Sequence, residues 1–241
     1  MQALNINEKI DKIKLLNKAQ LKYIAFVSML IDHINNGLVT PFLDGSGLLL
    51  LVSNILSILG RIAFPIFIYF IVEGYFKTKN KLNYLSRLLI FGLISEVPFD
   101  LFTSKVAYNP NWNNMVFTLS LCLMMVWLID WLRGKIKAKA LWYLLSIIVL
   151  AIFSYLAMVL SLDYDYKAIV IAYLFYIFYD KKLLAAGLGY LSIIKEVYSF
   201  LGFGLILLYN GKKGRENKWL SYFFYPAHLF ILGLLRLYLD I

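Results

Sequence analysis

Apolar residues run in blocks close to the length of a membrane-spanning helix, about 20 residues. The clearest are 21–39, 60–76, 83–102, 115–132, 140–161 and 219–239, with a shorter one at 165–180. The stretch 183–210 is too long for one upright helix and carries Lys195-Glu196 near its middle, so it reads as a hairpin with its tip there. The stretch 47–59 is apolar but short and is followed by Gly60-Arg61, which suits an interfacial or re-entrant helix on the outer side. The pattern therefore predicts an all-α, polytopic transmembrane helix bundle of about nine spans. Residues 1–20, where Leu4, Ile10, Ile13 and Leu16 alternate with lysines, read as a cytoplasmic amphipathic segment on the anionic inner leaflet. Residues 21–241 form a single transmembrane domain with no repeat at a solenoid period. No signal-peptide cleavage pattern follows the first apolar run, which is expected to remain as an anchor.

Composition narrows the class further. The 241 residues are 61% hydrophobic and 16% charged, against about 45–50% and about 25% in soluble domains. A soluble fold and a disordered chain are both excluded, and the solvent must be lipid. The net charge of +10 then marks topology rather than a nucleic acid, since no basic, soluble recognition element is present. Eighteen of the 24 cations fall in five places: Lys9 to Lys22, Lys77 to Lys81, Arg133 to Lys139, Lys181-Lys182 and Lys212 to Lys218. The loops between them hold only Lys105, Lys167 and Lys195. This asymmetry puts the N-terminus in the cytoplasm and the C-terminus outside a bacterial inner membrane. The single cysteine, Cys122, permits neither an internal disulfide nor a multi-cysteine zinc site.

Charges inside apolar helices are expensive, about 2.5–3.5 kcal/mol each on insertion scales, and face a bundle interior or wet cavity. This chain places Asp32, His33, Arg61, Glu73, Arg87, Glu96, Asp100, His228 and Arg236 there, which predicts a polar cavity. Lys22 and His33 are eleven residues apart, so they share one stripe of a helix and lie about 16 Å apart along it. Lys22 can sit at the cytoplasmic mouth while His33 sits deep. A neutral imidazole suits proton abstraction from an amine or hydroxyl; a structural histidine bonding a neighbouring helix is the alternative. Asp32 projects about 100° away and can pair elsewhere.

Further constellations follow. Gly60-Arg61-Ile62-Ala63-Phe64-Pro65 leads to Glu73-Gly74; Pro65 should kink its helix, and Arg61 is either a bidentate anion ligand or an interfacial anchor. Arg87 leads to Glu96 and Asp100, which share a face, with Pro98 expected to break the helix between them. The amide-rich turn ending in Asn113-Asn114 either caps the next helix or binds a polar acceptor. In the last apolar block, Tyr225 and His228 are three residues apart and face one way. No metal is expected, because two histidines with no His-Glu spacing motif rarely suffice.

At Lys22–Asn35, Gly60–Gly74, Arg87–Asp100, Asn113–Leu119 and Tyr225–Leu229 the chain resembles the TraX family, integral membrane proteins whose namesake acetylates the N-terminus of conjugative pilin. The spacing Lys22-x10-His33 is also similar to the Arg-x10-His motif of the acyltransferase type three membrane enzymes, with lysine in place of the planar arginine fork. The resemblance implies acyl transfer from cytoplasmic acetyl-CoA to an amine or hydroxyl on a peptide, glycan or lipid acceptor. In that reading His33, Asp32 and His228 are catalytic, with His33 as general base and Asp32, His228 or Glu73 orienting it. Lys22, Arg61, Glu73, Arg87, Glu96, Asp100, Asn114 and Tyr225 contact the substrates. A proton-coupled secondary transporter and a non-catalytic membrane assembly factor are the rival functions. The absence of an inverted repeat weighs against the transporter.

Overall fold

The computed structural model describes residues 14–45 and 47–241. Most of the expected N-terminal amphipathic segment, residues 1–13, lies outside them. Residues 14–17 are not helical: Leu16 pairs with the 208–210 strand-like turn, its N–H donating to Leu208 and its carbonyl accepting from Asn210. Helix α1, Lys18–Ile34, then starts at a capping box between Asn17 and Gln20. It continues through a π-helical turn, Asn35–Val39, and a 3₁₀ turn, Thr40–Phe42. The remaining helices are α2 (Gly47–Gly60), α3 (Ala63–Lys77), α4 (Lys81–Ser104), α5 (Met115–Lys135), α6 (Lys139–Val159), α7 (Asp165–Ile177), α8 (Lys182–Ser192), α9 (Phe200–Leu207) and α10 (Lys218–Leu239). Among the described residues the only β pairing is two isolated bridges.

Four helical stretches are long and apolar enough to cross a membrane: Gly47–Lys77, Met115–Lys135, Lys139–Val159 and Trp219–Leu239. About nine full spans is therefore more than these lengths carry. The 183–210 region does form a hairpin, α8 and α9, turning at Ile193 to Ser199. Its arms rise only about 16 and 12 Å, well short of a hydrocarbon core of about 30 Å. The 47–59 segment forms its own short helix, α2, which a two-residue turn at Arg61-Ile62 separates from α3; the two together make a 31-residue helical stretch.

The break falls at Arg61-Ile62, ahead of Pro65, which sits in the first turn of α3 where its missing N–H costs no hydrogen bond. Ser28 of α1 satisfies the freed backbone: its hydroxyl lies 2.6 Å from the Leu59 carbonyl and 3.0 Å from that of Gly60, and accepts from Ala63 N–H at 3.0 Å. Lipid could supply none of these partners. Pro98 does not break its helix; α4 runs through it to Ser104.

Helix α3 is buried on nearly all sides and forms the centre of the bundle, packed by α1, α5, α7 and α9. Helix α6 presents Leu144, Ile147, Ile148, Ile152 and Tyr155 outward, an apolar surface suited to lipid. Helices α4 and α10 pack along each other closely, Gly233 lying against the Leu101 backbone.

Candidate functional site

Two cavities lie back to back in the bundle. The first, about 350 Å³, opens between the start of α1 and the start of α10, and is lined by Lys18, Lys22, Arg87, Tyr84, Ser95, Glu216 and Ser221 with apolar walls from α3, α4 and α5. The second, about 760 Å³, lies toward the other end of α1, lined by Asp32, His33, Arg61, Trp112, Asp163, Lys167 and Glu196. Met29, Phe67, Met115 and Tyr225 line both, and so form a septum between them.

The basic cavity is built by side chains converging from distant sequence. Lys22 Nζ contacts Glu216 at 3.1 Å and donates to Ser221 at 3.0 Å. Behind it, Lys18 and Lys77 pair with the buried Glu73 at 3.3 and 2.7 Å. Lys77 also donates to the Gly211 carbonyl. This cluster ties α1, α3 and the loop before α10 together. Glu73 does not orient His33, because its partner Lys18 lies fifteen residues back along α1, about 22 Å by helical rise.

The polar cavity contains the chemistry that α1 delivers. His33 and His228 stack at 4.9 Å, and Nδ1 of His33 lies 2.7 Å from Nε2 of His228. His228 Nδ1 lies 2.5 Å from the Phe224 carbonyl, which can only accept. The protons are thereby assigned in series. His228 carries its proton on Nδ1 and presents Nε2 as acceptor, so His33 donates from Nδ1 and keeps its lone pair on Nε2. His33 lines the cavity; His228 stands behind it. Asp32, one residue earlier, accepts from Asn36 at 2.9 Å and not from His33. Of the three partners anticipated for His33, only His228 contacts it; Asp32 pairs with Asn36 and Glu73 with lysines.

Arg61 opens into the polar cavity, its Nε 3.7 Å from Glu196, which Lys167 also approaches at 3.4 Å. It cannot share a phosphate with Lys22 and Arg87 in the basic cavity. Asp163, half-buried in the loop between α6 and α7, has its carboxyl pushed up to about 7, chiefly by burial; hydrogen bonds from Tyr164 N–H and Trp112 and the charge of Arg61 oppose that rise. Glu96, Asp100 and Asn114 line neither cavity. Asn114 caps α5 through Val116 N–H at 2.9 Å, donates to the Gly92 carbonyl at 2.9 Å and donates to Glu96. Asp100 accepts from Asn109 N–H at 2.8 Å. Their hydrogen bonds tie α4 to the loop before α5 and to the start of α5. Asp163, Glu196 and Lys167 were not singled out from the sequence as site residues; only the charges at the two turns Asp163-Tyr164-Asp165 and Lys195-Glu196 signalled them. Among the described residues no group of three or more metal-ligating side chains is assembled.

Comparison with known proteins places this chain in a family. The TraX protein family model matches residues 17–236. The chain is 27% identical over 251 residues to the probable fimbrial assembly protein FimC, serogroup H1, of Dichelobacter nodosus, an alignment covering 92% of this chain and 96% of that protein. No solved structure matches.

Proposed function

Because the chain belongs to the TraX family, we propose that it is a multi-pass inner-membrane acyltransferase that moves an acetyl group from cytoplasmic acetyl-CoA to an amine or hydroxyl acceptor during assembly of a surface fibre. One observation carries this reading: the hydrogen-bond series from the Phe224 carbonyl through His228 to His33 leaves an unprotonated Nε2 at a cavity wall, across a septum from a basic cavity. Lys22, Lys18 and Arg87 offer cationic partners for the phosphates of CoA. The acceptor occupies the polar cavity. Its nitrogen or oxygen attacks the thioester carbonyl carbon and its proton passes to His33 Nε2. The carbon–sulfur bond breaks with its electron pair on sulfur, and CoA thiolate recovers the proton from His33. Arg61, which lines the same cavity as His33, is the cation that stabilises the oxyanion.

The topology that fits has the lysine end in the cytoplasm. Seven crossings, α1, the α2–α3 stretch, α4, α5, α6, α7 and α10, are completed by the α8–α9 hairpin, which starts and ends at the lysine side and whose turn reaches Arg61 and Lys167 at the opposite end. Parity is unchanged from a nine-span count, so the C-terminus remains outside.

The FimC relative's name favours a second reading, a non-catalytic assembly factor. Incubating membranes with radiolabelled acetyl-CoA separates the two. Acyl transfer predicts label on an acceptor, absent when His33→Ala is expressed to the same level. The assembly-factor reading predicts no label with either protein and normal fibre assembly in the variant.

A further inference from the structure

The two cavities pose a problem of passage. The cations suited to phosphate line one, His33 lines the other, and Met29, Phe67, Met115 and Tyr225 stand between. If the reading above holds, on which this inference rests, the thioester must cross that septum for its carbonyl to meet the acceptor. We propose that these four side chains are the specificity-determining residues for the acyl group, admitting a slender thioester with a short acyl chain and rejecting longer ones.

The chemistry of the four residues supports a narrow, openable aperture. Methionine is unbranched, with three rotatable bonds, and repacks at low cost. Met29 and Met115 can therefore swing aside for a thin chain. The aromatic pair is held more firmly. Phe67 packs on Phe26 at 5.8 Å between ring centres, and Phe26 stacks on Phe224 at 4.8 Å. Phe224 in turn stacks on His228 at 4.9 Å, and Tyr225 lies 5.8 Å from the same ring. The rigid half of the septum is thus continuous with the histidine pair, so an acyl group passing it arrives beside His33. On the basic side, the buried Ser95 hydroxyl lines the cavity without a hydrogen-bond partner. It is free to meet a carbonyl or amide of the donor's arm before it reaches the septum. Along α1, Lys22 and His33 are about 16 Å apart, which is the distance the arm must bridge. Each additional methylene then has to fit between two methionines and two braced rings, where packing density leaves little spare volume.

The test uses the purified full-length chain in nanodiscs with acetyl-CoA and hexanoyl-CoA mixed in one tube and water as acceptor, reading the two free acids released. Their ratio is independent of how much protein is folded. Wild type should release acetate at least about tenfold faster than hexanoate. Met29→Ala and Met115→Ala, which remove the γ, δ and ε atoms, should each raise the hexanoate-to-acetate ratio by about tenfold or more, the discrimination that small changes in an apolar pocket produce. Met29→Leu, close in volume, should leave the ratio near wild type. If acetate is released but neither alanine variant shifts the ratio, the septum does not select the acyl group, and the acyltransferase reading stands without it. If wild type releases neither acid above the protein-free rate, the same ratio is read as acetyl against hexanoyl label on the membrane acceptor, and absence of label there overturns both.

Discussion

His33 owes its chemistry to a residue 195 positions away. The carbonyl of Phe224 determines the tautomer of His228, and His228 determines that of His33. A general base contributes about 10²–10⁴-fold to rate, so His33→Ala and His33→Gln should both lower acetyl transfer by that order; near-normal turnover in the glutamine variant would remove His33 as the base. His228→Ala should cost less, about tenfold, because His33 survives but its proton can now occupy either nitrogen. The distinguishing readout is the pH–rate profile, which should change shape in His228→Ala; a merely structural ring would lower the rate equally at every pH. Asp163 gives a stability prediction. Its carboxyl titrates at about 7 in the folded protein and near 3.8 when unfolded, so between those values the folded state binds the additional proton. Stability contributed by this group therefore falls as pH rises from about 4 to about 7 and is level above. Asp163→Asn should flatten that decline in melting temperature; an unchanged slope would assign it to other groups.

Helix α9 lets two glycines in one element be compared. A Cβ at Gly202 would meet the Ile62 carbonyl and the Pro65 ring, at the break between α2 and α3. A Cβ at Gly204 meets nothing within 4 Å. Gly202→Ala should destabilise the protein by about 1–3 kcal/mol, the range for overpacking. Gly204→Ala should be neutral or slightly stabilising, since alanine is the better helix former. Equal melting temperatures for the two variants would mean that α9 does not pack on the break as described. The prolines carry a related lesson. Pro98 looks like a break in the sequence, yet it sits inside a continuous helix, as Pro226 does, because neighbouring groups and packing absorb one lost hydrogen bond. The actual break, at Arg61-Ile62, is instead stabilised by Ser28, a residue with no distinguishing local pattern.

Across the molecule, the charges separate to two ends. Lys18, Lys22, Lys77 and the loop before α10 gather around Glu73 and Glu216. Arg61, Lys167 and Glu196 gather at the other end, where Lys105 also approaches Asp240. Reporter tags after Lys79, Lys137 and Lys213 should therefore be cytoplasmic, and tags after Asp44 and Ser104 external. A tag after Lys213 active in the periplasm would contradict the paired entry and exit of the α8–α9 hairpin and reverse α10.

The membrane class and the all-α architecture were legible in the chain because they depend on local quantities: apolar run length and the 3.6-residue turn. The Lys22-to-His33 spacing already implied two depths on one helix face. The hairpin around Lys195-Glu196 was legible as well, although not the shortness of its arms. Which polar residues meet was not legible. Glu96, Asp100 and Asn114 carry the same residue chemistry as a binding site, but packing pairs Glu96 with Asn114 and Asp100 with the Asn109 backbone, between α4 and the segment leading into α5. Glu73 was drawn to lysines rather than to histidine by the direction in which α3 runs past α1. The septum and its two cavities depend on the packing of α1, α3, α5 and α10 together, and no local period records a contact among Met29, Phe67, Met115 and Tyr225. Long-range packing chose among side chains that composition and periodicity had left equivalent.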